Sequence, residues 1–438
     1  MKIAFVFTPA WDPHSDGSLQ IWNREVTTRL SKFCDVLVYT GMFNHKRHEE
    51  VDGVRYRRFS TDFDCWLANR VHSVHKRILR NKILARKGPL VYSDLWYPGY
   101  AIKIALDLRK QNCDIVHVYY FPQFANLIKR LNPGLRVILH MHGEWLTQIK
   151  FNNLAERLNN LDLVLSCSKF ITQSIAAKFP RVANRCRTLP MGLSADASPR
   201  GDRQIDPDKP SPRRLLCVGR ISPEKGVHVL LDAFELILRR FPDATLTVVG
   251  PEWIAAKDEG VDLCLDKDVA ASLDPFYVGS YLAQIKQKLS PEAARRVEFA
   301  GLVPYGDVPA YYANADIYIS PSLYESFGMS VIEAMAAGLL VVAARVRSFE
   351  DLISDGKNGL LVAASDPQAI ADAVSSLFAN AELRESISYA ARETVRTQFS
   401  WDTICLTLIQ IYREVTKTNV PSINQPESVK TTNLTISA

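Results

Sequence analysis

The chain alternates short, solidly apolar runs rich in valine and isoleucine with longer stretches in which apolar residues recur every three to four positions. A run of five or six apolar residues fits a strand buried on both faces, and the helical period fits a helix with one face on a core. Repetition of the pair predicts parallel α/β architecture. In the first half the pattern predicts strands near 2–7, 35–39, 115–118, 136–140 and 162–166, with helices near 18–32, 99–111 and 168–178. Residues 198–213 are polar and hold four prolines, so they cannot bury a core and read as a linker. The alternation then restarts, with strands expected at 214–218, 244–249, 297–299, 317–319 and 340–343. The organisation predicted is therefore a first domain over 1–197, a linker over 198–213 and a second domain over 214–398. An amphipathic helix within 399–416 is expected to cross back to the first domain, and 417–438 lacks periodicity and is expected to be disordered. Segment 252–290 is longer than an ordinary connection and reads as an elaborated loop or an extra helix pair.

Composition changes this picture little. At 438 residues the chain exceeds the roughly 250–300 residues at which single cores stop growing, which favours two domains. A net charge of +6 over that length argues against a nucleic-acid partner, which calls for a concentrated basic face. Eight cysteines without a C-x-x-C pair read as reduced core residues of a cytoplasmic protein. The apolar opening Lys2 to Phe7 could begin a signal peptide, but Pro9, Trp11, Asp12 and His14 end it early, so a buried strand is expected. No run approaches the roughly 18 apolar residues of a spanning helix. One local cluster matters more than the total charge. Residues 74–87 set six cations among aliphatic side chains, which reads either as a solvated helix or as a basic amphipathic helix on anionic lipid at the inner face of a membrane.

The candidate chemistry lies in the second half. Val218-Gly219-Arg220 ends a strand, and Lys225-Gly226 follows just before a helical pattern from Val227. Two cations beside a helix N-terminus suit a diphosphate, which gains from arginine's forked donors, an ammonium and unpaired helix amides together. Taken alone, the same residues also read as a surface ion pair and a solvated lysine. Neither G-x-x-x-x-G-K-[ST] nor G-x-G-x-x-G occurs, which leaves a P-loop ATPase or an ordinary nicotinamide site unsupported. Between the strands at 317–319 and 340–343, Ser320 to Gly338 reads as strand, loop and helix. Glu325 falls in the loop at the carboxyl end of a strand, where α/β folds bind ligands, and Glu333 lies about a turn into the helix. Two carboxylates among small and apolar neighbours need hydroxyls or cations to meet them. By themselves they also fit a solvated loop acid and an exposed helix residue.

The pattern P-S-x-x-E-S-F-G-x-x-x-x-E-A-M-A-x-G, with Glu325 and Glu333 as its acids, follows V-G-R-x-x-x-x-K-G with Arg220 and Lys225. In that order the two motifs closely resemble the family 4 retaining glycosyltransferases, and the similarity covers residues 1 to about 415. The resemblance implies the GT-B fold: α/β, two Rossmann-like domains with parallel sheets facing an interdomain cleft. It implies that Arg220 and Lys225 bind a nucleotide diphosphate, that Glu325 contacts donor sugar hydroxyls, and that Glu333 holds the ribose. Ser326, Phe327, Gly328, Met329 and Ser330 would complete the cradle with their amides, and His142, after the strand at 136–140, would sit near the donor sugar. His140 reads as structural. Gly17 and Ser18 stand, after Asp16, where the family carries a double glycine, and Met191 replaces the asparagine of a P-N-G turn.

The function implied is retaining transfer of a hexose from a nucleotide diphosphate sugar, with uridine diphosphate donors expected ahead of guanosine diphosphate mannose. The acceptor would be a hydroxyl of a saccharide or lipid-linked molecule in polysaccharide or glycolipid synthesis. Glu325, His142, Arg220 and Lys225 would carry catalysis. No D-x-D motif or ligand-like histidine spacing is present, so neither a metal nor another cofactor is expected. Base contacts are expected from backbone near Gly250-Pro251 and Gly301-Leu302-Val303. A nucleotide-sugar epimerase, or a non-catalytic sugar-nucleotide-binding protein, would share the architecture.

Overall fold

In a computed structural model of the protein, the structure describes residues 1–9, 17–42, 46–79, 93–94, 96–148, 153–194, 213–254 and 267–416. The linker reading falls almost wholly outside these residues, as do the tail 417–438 and residues 80–87 of the basic stretch. Side chains from 71 to 79 are likewise undescribed.

The first sheet comprises β1 (Lys2–Val6), β2 (Asp35–Gly41), β3 (His48–Val51), β4 (Val54–Phe59), β5 (Ile115–Tyr119), β6 (Arg136–Met141), β7 (Leu163–Ser166) and β8 (Cys186–Thr188). Its order is β3-β4-β2-β1-β5-β6-β7-β8, parallel throughout except for the β3–β4 hairpin. Strands β1, β5, β6 and β7 are buried or nearly so along their length, because helices cover both faces, so their side chains are mostly apolar and the polar ones, His117, His140 and Ser166, are buried with them. The second sheet comprises β9 (Arg214–Val218), β10 (Thr245–Val249), β11 (Val297–Gly301), β12 (Ile317–Ser320), β13 (Leu340–Ala344) and β14 (Leu360–Val362). It is wholly parallel in the order β11-β10-β9-β12-β13-β14. Chain order therefore reverses between β9 and β12, which pair through Leu215 and Ile317. A reversal of this kind opens a crevice beyond the carboxyl ends of the two strands.

The two domains share a core. One apolar cluster runs from β1 and β5 through Phe327, Met335 and Phe349 of the second domain to Trp401, Leu408 and Tyr412 of the last helix, Trp401–Thr416. That helix returns to the first domain, where Asp402 meets Arg29 at 3.2 Å and the Tyr412 hydroxyl lies 2.7 Å from His117 Nδ1. The crossing is pinned by two main-chain bonds, Leu193 N to Phe399 O at 2.7 Å and Trp401 N to Leu193 O at 3.2 Å.

Several elements escape the pattern reading. The β3 strand, His48-Glu49-Glu50-Val51, has no apolar run because it lies at the sheet edge in solvent, and it is set instead by the Asp52-Gly53 turn, with φ of 51° and 73°. The three-residue strands β8 and β14 are edge strands too short to show a period. Within 252–290, helices Lys267–Leu273 and Tyr281–Gln287 flank a single 3-10 turn, and Tyr281 is buried against the helix Val227–Arg240 with its hydroxyl 3.0 Å from the His228 amide. The cysteine reading is corrected at Cys65, which is exposed on the helix Asp62–Leu79, and at Cys34 and Cys113, which are only partly buried against the core, while Cys264 lies outside the described residues. Among the described residues no helix is long and apolar enough to cross a membrane.

Candidate active site

The β9–β12 crevice is built from two interlocked loops. Beyond β9, Arg220 leads into a 3-10 turn, Pro223–Lys225, and Gly226 then opens the helix Val227–Arg240. Gly226 sits at φ 68° directly against the Pro321 carbonyl, where a Cβ would lie 2.2 Å from the oxygen, so no other residue fits. The Leu323 amide bonds the Glu224 carbonyl at 2.9 Å, and Lys225 Nζ pairs with Glu325 Oε2. Arg220 is half-exposed, its guanidinium 4.5 Å above the Trp253 ring and 3.4 Å from Glu224 Oε1. Arg220, Lys225 and Glu325 are thus gathered at one strand end, with Glu224 and Trp253 as members that no sequence pattern marked.

The second loop ends at Gly328, whose φ of 106° starts the helix Met329–Ala336 without a side-chain cap. A Cβ there would lie 2.5 Å from the Phe349 ring. Phe327 is buried in edge-to-face contact with Phe399, which orients the loop, and the Ser326 carbonyl lies 3.7 Å from Cys167 Sγ of the first domain. Ser330 Oγ accepts from Tyr318 at 2.7 Å. Glu333 accepts from Tyr305 at 3.1 Å and from Tyr312 at 2.8 Å. Burial raises the Glu333 carboxyl above its ordinary range, against the lowering pull of these two hydroxyls. The need for partners was legible in the sequence, but the tyrosines that meet it come from elsewhere in the chain. Near them, the Gly250 amide donates to Gly301 O at 2.9 Å, placing these two segments side by side beyond β10 and β11.

From the first domain, His142 follows β6 and is buried, its Nδ1 3.3 Å from Met191 Sδ. Methionine in the turn before the linker thereby contacts the histidine. Behind it, His140 lies 4.0 Å away between ring centroids, and His140 Nδ1 meets His117 Nε2 at 3.1 Å. Two residues beyond His142, Glu144 accepts a hydrogen bond from Tyr324, the neighbour of Glu325, and Gln148 reaches the same hydroxyl at 3.4 Å. The His142 segment and the Glu325 loop therefore meet across the domain boundary. Gly17 accepts from the Ile21 amide at 3.0 Å and opens the helix Ser18–Ser31, but no described hydrogen bond or ion pair joins it to the Lys225–Glu325 pair. The Ser18 side chain lies outside the described residues.

Burial pushes the His142 imidazole down to about 3, and holds His117 and His140 well below their ordinary value. All three are neutral in the folded protein at neutral pH. Unfolding frees imidazoles that protonate near pH 6.5, so below that value the unfolded state binds the extra protons. Stability is expected to be complete above about pH 6.5 and to fall as pH is lowered below it, with His142 contributing up to about 1.4 kcal/mol per pH unit down to about pH 3 and His117 and His140 acting in the same direction. Denaturant midpoints that did not change between about pH 7.5 and about pH 5.5 would contradict this account.

Two family models match the chain: Glycosyltransferase Family 4 over residues 20–197 and Glycosyl transferases group 1 over residues 201–394. The chain belongs to the family 4, group 1 glycosyltransferases. This glycosyltransferase is 23% identical over 431 residues to spore coat protein SA of Bacillus subtilis, covering 94% of this chain and 100% of that one. It is 32% identical over 199 residues to D-inositol 3-phosphate glycosyltransferase of Corynebacterium urealyticum, covering 45% of this chain and 42% of the relative. Its fold is that of Anabaena HepE, solved in complex with UDP and glucose, with a TM-score of 0.65 at 16% identity over 94% of this chain and 100% of that one. The transferase is an enzyme of the GT-B fold.

Proposed function

We propose that the enzyme transfers a hexose, with retention of anomeric configuration, from a nucleotide diphosphate sugar to a hydroxyl of a saccharide or lipid-linked acceptor in polysaccharide or glycolipid synthesis. The observation that carries this reading is the meeting of Arg220, Lys225 and Glu325 at the β9–β12 crevice, with an uncapped helix start beside them. Arg220 and Lys225 neutralise the diphosphate and stabilise the charge that grows on it as the sugar leaves, with no metal or other cofactor. Glu325, partnered by Lys225, takes the sugar hydroxyls, while Ser326 to Ser330 offer main-chain amides. Glu333, already an acceptor for two tyrosines, takes ribose hydroxyls. His142 is neutral and offers a hydrogen bond near the sugar.

In the transfer the acceptor oxygen bonds the anomeric carbon as the bond to the diphosphate oxygen breaks. That leaving oxygen takes the acceptor's proton on the same face. A uridine diphosphate donor is favoured, in keeping with HepE having been solved with UDP and glucose. Guanosine diphosphate mannose is the other candidate.

A screen of nucleotide sugars by thermal stabilisation tests this reading. A donor at 100 times its Kd is expected to add about 2.7 kcal/mol, and both Glu333→Ala and Arg220→Ala are expected to abolish the shift. A screen in which no nucleotide sugar shifts the wild-type Tm would remove the donor assignment, and an inverted product anomer by NMR would remove retention.

The enzyme is placed by this reading in the cytoplasm, at the inner face of a membrane. Phe63 and Trp66, stacked at 6.0 Å and each 54% exposed, stand on the helix that leads into the basic sequence, with Arg70 over Trp66. Such aromatics suit a lipid interface. The protein is expected to co-sediment with vesicles containing anionic lipid and not with neutral ones, and Phe63→Ser/Trp66→Ser is expected to weaken that binding. Equal sedimentation with both vesicle types would discard the membrane role.

A further inference from the structure

The first domain holds a second concavity that shares no residue with the Lys225–Glu325 site. It is a cavity of about 520 Å3 between the helices Pro98–Gln111, Pro122–Leu131 and Leu154–Asn159, closed on one side by Asp94 and Trp96. Sites for small organic ligands span roughly 300–1,000 Å3. Phe124 and Leu127 give it an apolar lining, and the remainder is polar.

The charges of the described wall cancel. Asp94 pairs with Arg157 at 2.5 Å, and the other two ionised side chains are one acid, Glu156, and one base, Arg130. The described wall thus carries no net charge to favour a phosphate or a cation as a whole. Its distinctive groups are neutral amides. Asn160 Nδ2 donates to Asn126 Oδ1 at 3.2 Å, a bond that uses one polar atom of each side chain and leaves the other for a ligand. Asn153 sits at φ 68° and opens the helix Leu154–Asn159, yet its side chain makes no cap hydrogen bond. Asparagine at that position ordinarily satisfies a helix amide. Here its amide stays available on the cavity wall.

We infer that this cavity is a saccharide-binding subsite that holds a neutral sugar residue of an acceptor chain apart from the point of transfer. Amide side chains donate and accept at once, which matches vicinal hydroxyls, and the Trp96 indole beside them offers a flat apolar face for the C–H side of a pyranose ring. The inference rests on the transferase reading only for the source of the sugar, because binding here needs no donor.

The full chain, without nucleotide, is applied to an array of neutral and anionic oligosaccharides, and the best neutral probe is titrated by calorimetry. Asn160→Ala and Trp96→Ala are each expected to weaken that probe at least tenfold, and to leave the nucleotide-sugar thermal shift unchanged. The subsite is overturned if the wild type binds no neutral saccharide, if anionic probes are preferred, or if both variants bind as the wild type does. A chain that binds the saccharide in this way but shows no nucleotide-sugar shift would retain the subsite and lose the donor assignment, so the two failures are distinct.

Discussion

Replacement of Lys225 by alanine is expected to lower kcat by about 100- to 1,000-fold, the range found when one fixed donor to a developing negative charge is removed. The ammonium is held at the mouth of the β9–β12 crevice by Glu325, and both side chains are only about a fifth exposed. A fixed charge in a water-poor setting acts more strongly than one in bulk solvent. In the transfer proposed above, charge accumulates on the diphosphate as the sugar–phosphate bond breaks, so the loss is expected to fall mainly on kcat and less on KM. Removing the lysine also leaves Glu325 without its partner. For that reason the Tm of the variant and its donor Kd are measured beside its turnover. A kcat within about threefold of wild type, in a folded variant, would show that Lys225 serves structure alone.

Trp401→Ala is expected to destabilise the enzyme by about 3–5 kcal/mol, the usual range for emptying a buried aromatic site. The indole is buried against Gly192, where a Cβ would lie 2.2 Å from the ring, and it stands at the main-chain crossing formed by Leu193 and Phe399. Nothing larger than hydrogen fits beneath it, and the neighbouring backbone is pinned from both sides, so the cavity cannot collapse cheaply. Urea unfolding monitored by circular dichroism measures the change. A loss under about 1 kcal/mol would mean that the crossing relaxes to fill the space.

The candidate site was legible to different depths. Glu325 and Lys225 stood out because both motifs fall where a strand ends and a helix begins, and the structure pairs them. Glu333 was legible as a carboxylate in need of partners, but not the identity of those partners. Tyr305 and Tyr312 lie 28 and 21 residues away along the chain and reach it only because β11 and β12 bring their segments to the same sheet end. Glu144 and Tyr324 were invisible as a pair for the same reason at longer range, since one belongs to each domain.

By itself the sequence determined the α/β class, most of the strands and the two loops that carry Lys225 and Glu325. These are local properties: a buried strand must be apolar along its length, and a loop against a carbonyl must have glycine. The tertiary structure alone decided the strand order that opens the crevice between β9 and β12, and the edge strands that carry no apolar run. It also decided the return of the last helix to His117 and the cavity beneath Trp96. Each of these depends on contacts between residues far apart in the chain, and no periodicity along the chain records them.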